Sequence, residues 1–126
     1  MTRLASMLLF VAAMLGCASS GSAGNAALGQ PFTLQRGESV LLPGDASLRY
    51  LDIANDSRCP PDVQCIRAGD ADVLFEFVPV AGGAPVNVTL NTERTTSAPI
   101  GRWRLQLVKL EQGDAPSATV QVDEAR

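Results

Sequence analysis

The chain predicts an all-β fold, a single antiparallel β-sandwich of about seven strands. Three observations predict it. Apolar residues recur at every second position instead of every 3.6, turn residues interrupt the pattern every 8–12 residues or so, and no segment carries the apolar stripe of an amphipathic helix.

Taken in order, "FTLQ" and "SVLLP" are short strand candidates, and "SLRYLDIA" is a longer one whose facing is ambiguous. In "ADVLFEFV", Val73, Phe75 and Phe77 share one face, while Leu74 and Val78 make the other face partly apolar. In "PVNVTLNT", Val86, Val88 and Leu90 alternate with Asn87, Thr89 and Asn91. In "RWRLQLVK", Trp103, Leu105 and Leu107 alternate with Arg102, Arg104 and Gln106, and "ATVQVD" repeats the pattern with Val120 and Val122. Turn chemistry separates them at Arg36-Gly37, Pro43-Gly44-Asp45, Ala81-Gly82-Gly83, Pro99-Ile100-Gly101 and Gly113-Asp114. Short strands at this spacing point to an immunoglobulin-like sandwich, with a small β-barrel as the alternative. Trp103, the only Trp, reads as a core anchor.

The first residues have a different character. "MTRLASMLLFVAAMLGC" combines a basic Arg3 with an apolar run from Met7 to Leu15, far short of the roughly 20 residues of a membrane-spanning helix. Residues 1–16 therefore read as a signal peptide. Met14-Leu15-Gly16-Cys17 resembles the bacterial lipobox, which implies cleavage before Cys17 and acylation of that residue, and so partnership with a membrane through a lipid anchor. Ala18 and Ser19 follow, and by analogy with enteric lipoproteins the absence of Asp there implies the outer membrane, facing the periplasm. Residues 17–30 comprise the lipidated Cys17 and "ASSGSAGNAALGQ", small and polar, expected as a flexible tether reaching about 20 Å. Residues 31–126 form the expected single domain.

Charge and composition exclude several functions. Nine of the ten basic residues and all thirteen acids follow Cys17, a net charge of −4 (nine minus thirteen), which disfavours nucleic acid and a polybasic grip on lipid. The chain has no histidine, which removes Ser-His-Asp and Cys-His catalysis and histidine zinc sites. No catalytic constellation stands out, and the expectation is a non-enzymatic protein. The sequons Asn55-Asp56-Ser57 and Asn87-Val88-Thr89 carry little weight in a bacterial lipoprotein.

The densest segment is "DSRCPPDVQCIRAGDAD", from Asp56 to Asp72. An extended chain would hold Cys59 and Cys65 about 20 Å apart, whereas a disulfide needs a Cα separation of about 5.5 Å. The intervening residues supply the reversal, because Pro61 suits the second position of a turn and Asp62 the third. Outside the cytoplasm, such a pair is expected to oxidise, contributing about 2 kcal/mol.

Asp56-Ser57-Arg58-Cys59-Pro60, Cys65 and Ala68-Gly69 together resemble a segment of small bacterial envelope proteins, many of them lipoproteins, with the pattern D-S-R-C-P-x-x-x-x-C-x-x-A-G. That resemblance implies a secreted β-domain and no settled activity. A tryptophan is common there two residues after the second Cys, where this chain has Arg67.

Four readings of the segment follow. The first is a structural staple, in which Asp56 and Arg58 make local hydrogen bonds or a surface ion pair and the loop presents Arg58, Pro61 and Asp62 to an envelope protein. In the second, calcium is held by acids such as Asp56, Asp70 and Asp72, with Asp52 and Asp62 nearby, although no EF-hand loop is present and no other cofactor is expected. The third is a thiol-redox pair, for which C-x5-C is the wrong spacing. The fourth is a periplasmic protease inhibitor using the Arg58–Gln64 loop. The strand layout is similar to that of immunoglobulin-like cysteine-protease inhibitors, whose loop motifs are missing here.

Overall fold

Side chains that alternate every second residue give each strand one face to hide, and two sheets hide those faces against each other. The computed structural model describes residues 22–125. Cys17 and the segment expected to be a signal peptide lie outside the described residues. The strands are β1 (Ser22–Asn25), β2 (Phe32–Leu34), β3 (Ser39–Leu42), β4 (Ala46–Ala54), β5 (Asp72–Val78), β6 (Val86–Asn91), β7 (Ser97–Ile100), β8 (Trp103–Leu110) and β9 (Ala118–Glu124), with a 3-10 turn at Pro43–Asp45. One sheet has the order β1-β3-β4-β5-β6 and the other β2-β9-β8-β7. They are two separate sheets, not one closed barrel. Every pairing among the described strands is antiparallel except that of β1 with β3, which is parallel.

Leu48, Tyr50, Val73, Phe75 and Leu90 of the first sheet meet Leu34, Leu105, Val120 and Val122 of the second, all fully buried. Each such large side chain gains about 1.5–3 kcal/mol from leaving water. Trp103 is buried as expected, edge-on to Phe77 across the sheets at 6.2 Å, with the Arg102 guanidinium 4.7 Å from its ring centre. Tyr50 donates its hydroxyl to the Pro116 carbonyl at 2.8 Å, so its buried polar tip is satisfied and the first sheet is tied to the β8–β9 connection.

Several expectations change. Nine strands are described instead of about seven. The ambiguous facing of "SLRYLDIA" has a cause, since the register shifts between Tyr50 and Asp52 and resets the alternation after Tyr50. Pro99 and Ile100, expected in a turn, belong to β7, an edge strand, where proline's missing N–H costs no ladder bond. Val86, expected inside, is 51% exposed near the start of edge strand β6. The segment expected as a tether contributes β1, and beyond it the Ala26 amide donates to Leu41 and the Gly29 amide to Val122. The folded unit thus includes residues from Ser22 to Gln30 that the tether was expected to cover.

The strand directions set the poles. β4 ends, β5 begins and β6 ends at one level, with Ala54 opposite Asp72 and Asp72 opposite Asn91. The connections 55–71, 92–96 and 111–117 therefore cluster at one end of the stack.

Candidate interaction site at the stapled loop

The connection 55–71 exceeds the span of about 12–15 residues beyond which a structureless loop is uncommon and usually functional. Cys59 and Cys65 form a disulfide across a Cα separation of 5.9 Å, as expected from the sequence. Within it the Val63 amide donates to the Pro60 carbonyl at 3.2 Å, closing a turn with Pro61 second and Asp62 third. Pro61 and Asp62 are exposed.

Arg58 makes the local contact with Asp56 that the staple reading expects, and it is less exposed than Pro61 and Asp62. Its side chain is only 10% exposed. The guanidinium straddles Asp56, with Nε to Oδ1 at 3.0 Å and Nη2 to Oδ2 at 2.9 Å, while Nη1 donates to the Leu110 carbonyl at the end of β8 at 2.9 Å. A planar five-donor fork suits this double duty. With its donors committed to Asp56 and the Leu110 carbonyl, Arg58 would have to break these contacts to enter a protease cleft. The hydrogen-bonded Arg58 guanidinium also holds the Asp56 carboxyl below the usual carboxylate range.

The base of the loop is fastened on its other side by residues that alternation places elsewhere. Asn91 is expected to point outward but is buried, the only polar residue so among those described. Its amide nitrogen donates to Asp70 at 3.0 Å and Asp72 at 2.9 Å, and its Oδ1 accepts from the backbone amides of Glu93 and Arg94. Arg94 closes on Asp70 at 2.7 Å. Asp70 is held below the usual carboxylate range by Arg94 and then Asn91, and Asp72 by Asn91 and then Asn55. Asp52 pairs instead with Arg36 at 3.3 Å. Of the acids read as calcium ligands, Asp52, Asp56, Asp70 and Asp72 thus have internal partners while Asp62 is exposed, and among the described residues no three His, Cys, Asp or Glu side chains converge.

Ser57 and Gly69 complete the base. The Ser57 amide donates to the Asp70 carbonyl at 2.8 Å, and the Asp70 amide donates back to Ser57 Oγ at 3.1 Å. Gly69 passes so close that a Cβ there would overlap the Ser57 carbonyl. Glycine is required by this close approach of two strands of the loop base, not by a positive φ.

Beyond the base everything opens to water. Residues 60–68 are all exposed, with Val63 at 54% and Ile66 at 105%. An open depression of about 530 Å³ lies between the loop and the β8–β9 connection, lined by Asp56, Arg58, Pro60, Pro61, Gln112, Gly113 and Asp114. The carboxylate and guanidinium facing it are already engaged with each other. The site is chemically a fixed base carrying an apolar, partly charged tip. No family model matches the chain, no curated protein matches its sequence, and no solved structure matches its fold.

Proposed function

We propose that the protein is a non-enzymatic binding module of the bacterial cell envelope, exported, cleaved before Cys17 and anchored there by lipid, with the stapled loop as its contact element. The observation that carries this reading is the Cys59–Cys65 disulfide at an exposed loop tip. A disulfide persists in an oxidising compartment outside the cytoplasm, in keeping with the lipobox-like Met14-Leu15-Gly16-Cys17. It also pre-shapes the tip, which lowers the ordering cost of any contact made there. Outer-membrane placement facing the periplasm rests on Ala18 and Ser19. An immunoglobulin-like description has its support in the layering of two facing sheets. The connections are instead meanders, β3 through β6 and β7 through β9, with β2 as a crossing strand.

Metabolic labelling with radioactive palmitate tests the anchor. Label is expected in the membrane fraction for the natural chain and lost in Cys17→Ser. An unlabelled natural chain recovered from the cytosol overturns the proposal.

A further inference from the structure

Each sheet ends in two strands with one side open, and proteins guard such sides with short strands, proline or charge. β1 has four residues, β2 three, and β7 four with Pro99 among them. β6 has none of these guards. Its six residues, Val86–Asn91, make the longest edge among the described strands and include no charged side chain and no proline. Two hydrogen bonds at its end show which backbone groups are open. The Asn91 amide donates away from β5 to the Thr95 carbonyl at 2.8 Å, and the Thr92 amide donates to the Ala71 carbonyl at 3.1 Å. Asn91 and Asp72 are therefore a pair that exchanges no bonds, and in an antiparallel ladder such pairs alternate with bonded ones. Val86, Val88 and Leu90 bond to β5, whereas Asn87 and Thr89 turn their amides and carbonyls to the open side. Both residues are exposed, and among the described residues no backbone group of a turn or loop meets theirs.

We propose that this edge pairs with the same edge of a second copy of the chain, antiparallel about a two-fold axis beside Val88. Asn87 of each copy then lies opposite Thr89 of the other, and two residue pairs exchanging two bonds each satisfy every outward amide and carbonyl of both residues. The same register accounts for Val86. Its side chain shares the inner face with Val88 and Leu90, yet it is 51% exposed. Set opposite Leu90 of the second copy in a pair without bonds, where side chains approach most closely, it leaves water. The pairing is bounded at both ends, because Thr95 already covers Asn91, and Pro85, opposite Asn91 in this register, has no amide to offer. A second copy fits better than a loose peptide. Its edge is already a strand with no ordering left to lose, and uncharged side chains face themselves without repulsion. A strip this short buries little area, so the dimer is weak and depends on concentration. The inference stands apart from the acylation reading.

The test uses the full chain in a non-ionic detergent of matched density, by sedimentation equilibrium and amide hydrogen exchange at micromolar and at millimolar concentration. A monomer–dimer equilibrium is expected. The Asn87 and Thr89 amides should exchange freely in the dilute sample and slowly in the concentrated one, while Val88 stays protected in both. Thr89→Pro removes an outward amide at no cost in bonds to β5, and Val86→Lys buries a charge only in the dimer. Each should raise the dissociation constant by more than about tenfold, with the urea midpoint of the monomer little changed. Val86→Lys decides alone if Thr89→Pro fails to fold. A chain that stays monomeric at millimolar concentration overturns the proposal, and so does a dimer that both variants leave intact, since it must pair elsewhere. Asn87 and Thr89 amides protected at every dilution show an edge already covered within one copy and overturn it as well.

Discussion

Arg58→Ala isolates the residue that fastens the loop both to Asp56 and to the end of β8. The substitution deletes the donor to the Leu110 carbonyl and the two-pronged contact with Asp56. The carbonyl loses a charge-assisted partner in a half-buried setting, about 1 kcal/mol. The Asp56 fork contributes about 1 kcal/mol more once discounted for solvent, because the Asp56 side chain is 36% exposed. The expected loss is about 2 kcal/mol, a fall in Tm of roughly 10 °C for a domain of this size. Urea denaturation with the disulfide intact measures it, and the m-value should not change. Arg58→Lys should recover less than half, because an ammonium cannot form the fork. A double-mutant cycle with Asp56→Asn should return a coupling of about 1 kcal/mol. A midpoint in Arg58→Ala equal to that of the natural chain refutes the reasoning and frees Arg58 for a partner.

Four further outcomes follow from the same network. Gly69→Ala forces a Cβ onto the Ser57 carbonyl and should cost about 2–3 kcal/mol by thermal melting, with faster hydrogen exchange at the Ser57 and Asp70 amides; a neutral effect refutes that contact. Reduction of Cys59–Cys65 should cost about 2 kcal/mol and speed exchange at Val63, while Ser57 stays protected, because hydrogen bonds independent of the sulfurs hold the base. Asp56, Asp70 and Asp72 are held below the usual carboxylate range, so the unfolded chain binds more protons in acid. Stability should thus be full above about pH 4 and fall as acid titrates the carboxylates toward their lower folded values, and the deficit of Arg94→Gln should shrink over that window. Millimolar calcium should leave Tm unchanged, and a rise reversed by chelator would show that these carboxylates are free to take a cation.

The strands legible in the sequence are those that alternate without interruption. β5, β8 and β9 bury the residues that the pattern assigns to the core, because each lies against facing side chains on one side only. β1 was not legible. Ser22–Asn25 has no apolar alternation, and β1 is held by backbone pairing with β3 at a sheet edge. β7 was hidden by Pro99, whose turn preference is overridden where an edge strand leaves its nitrogen unpaired. At the site, the Cys59–Cys65 bridge and the Pro61-Asp62 turn are local facts, readable from spacing. The inward fate of Arg58 is not, because its acceptor Leu110 is 52 positions away. Asn91 was missed for the same reason, since only the fold brings it between Asp70 and Asp72.

The pattern D-S-R-C-P-x-x-x-x-C-x-x-A-G acquires a physical division once it is laid on the structure. Its named positions Asp56, Ser57, Arg58 and Gly69 fasten the base, and Cys59 and Cys65 close the tip. Its open positions, Pro61 to Gln64 with Ile66 and Arg67, are all in water, together with the named Pro60, Cys65 and Ala68 of the tip. A tether or spacer needs no such base, because a flexible connection is satisfied by polar residues alone. A lone exposed isoleucine is ordinary on a protein surface, but one held beside Val63 and two prolines on a base fixed to both sheets is pre-ordered for contact. The hydrogen bonds that reinforce the base therefore also limit the freedom of the tip, whose Val63 and Ile66 stand in water.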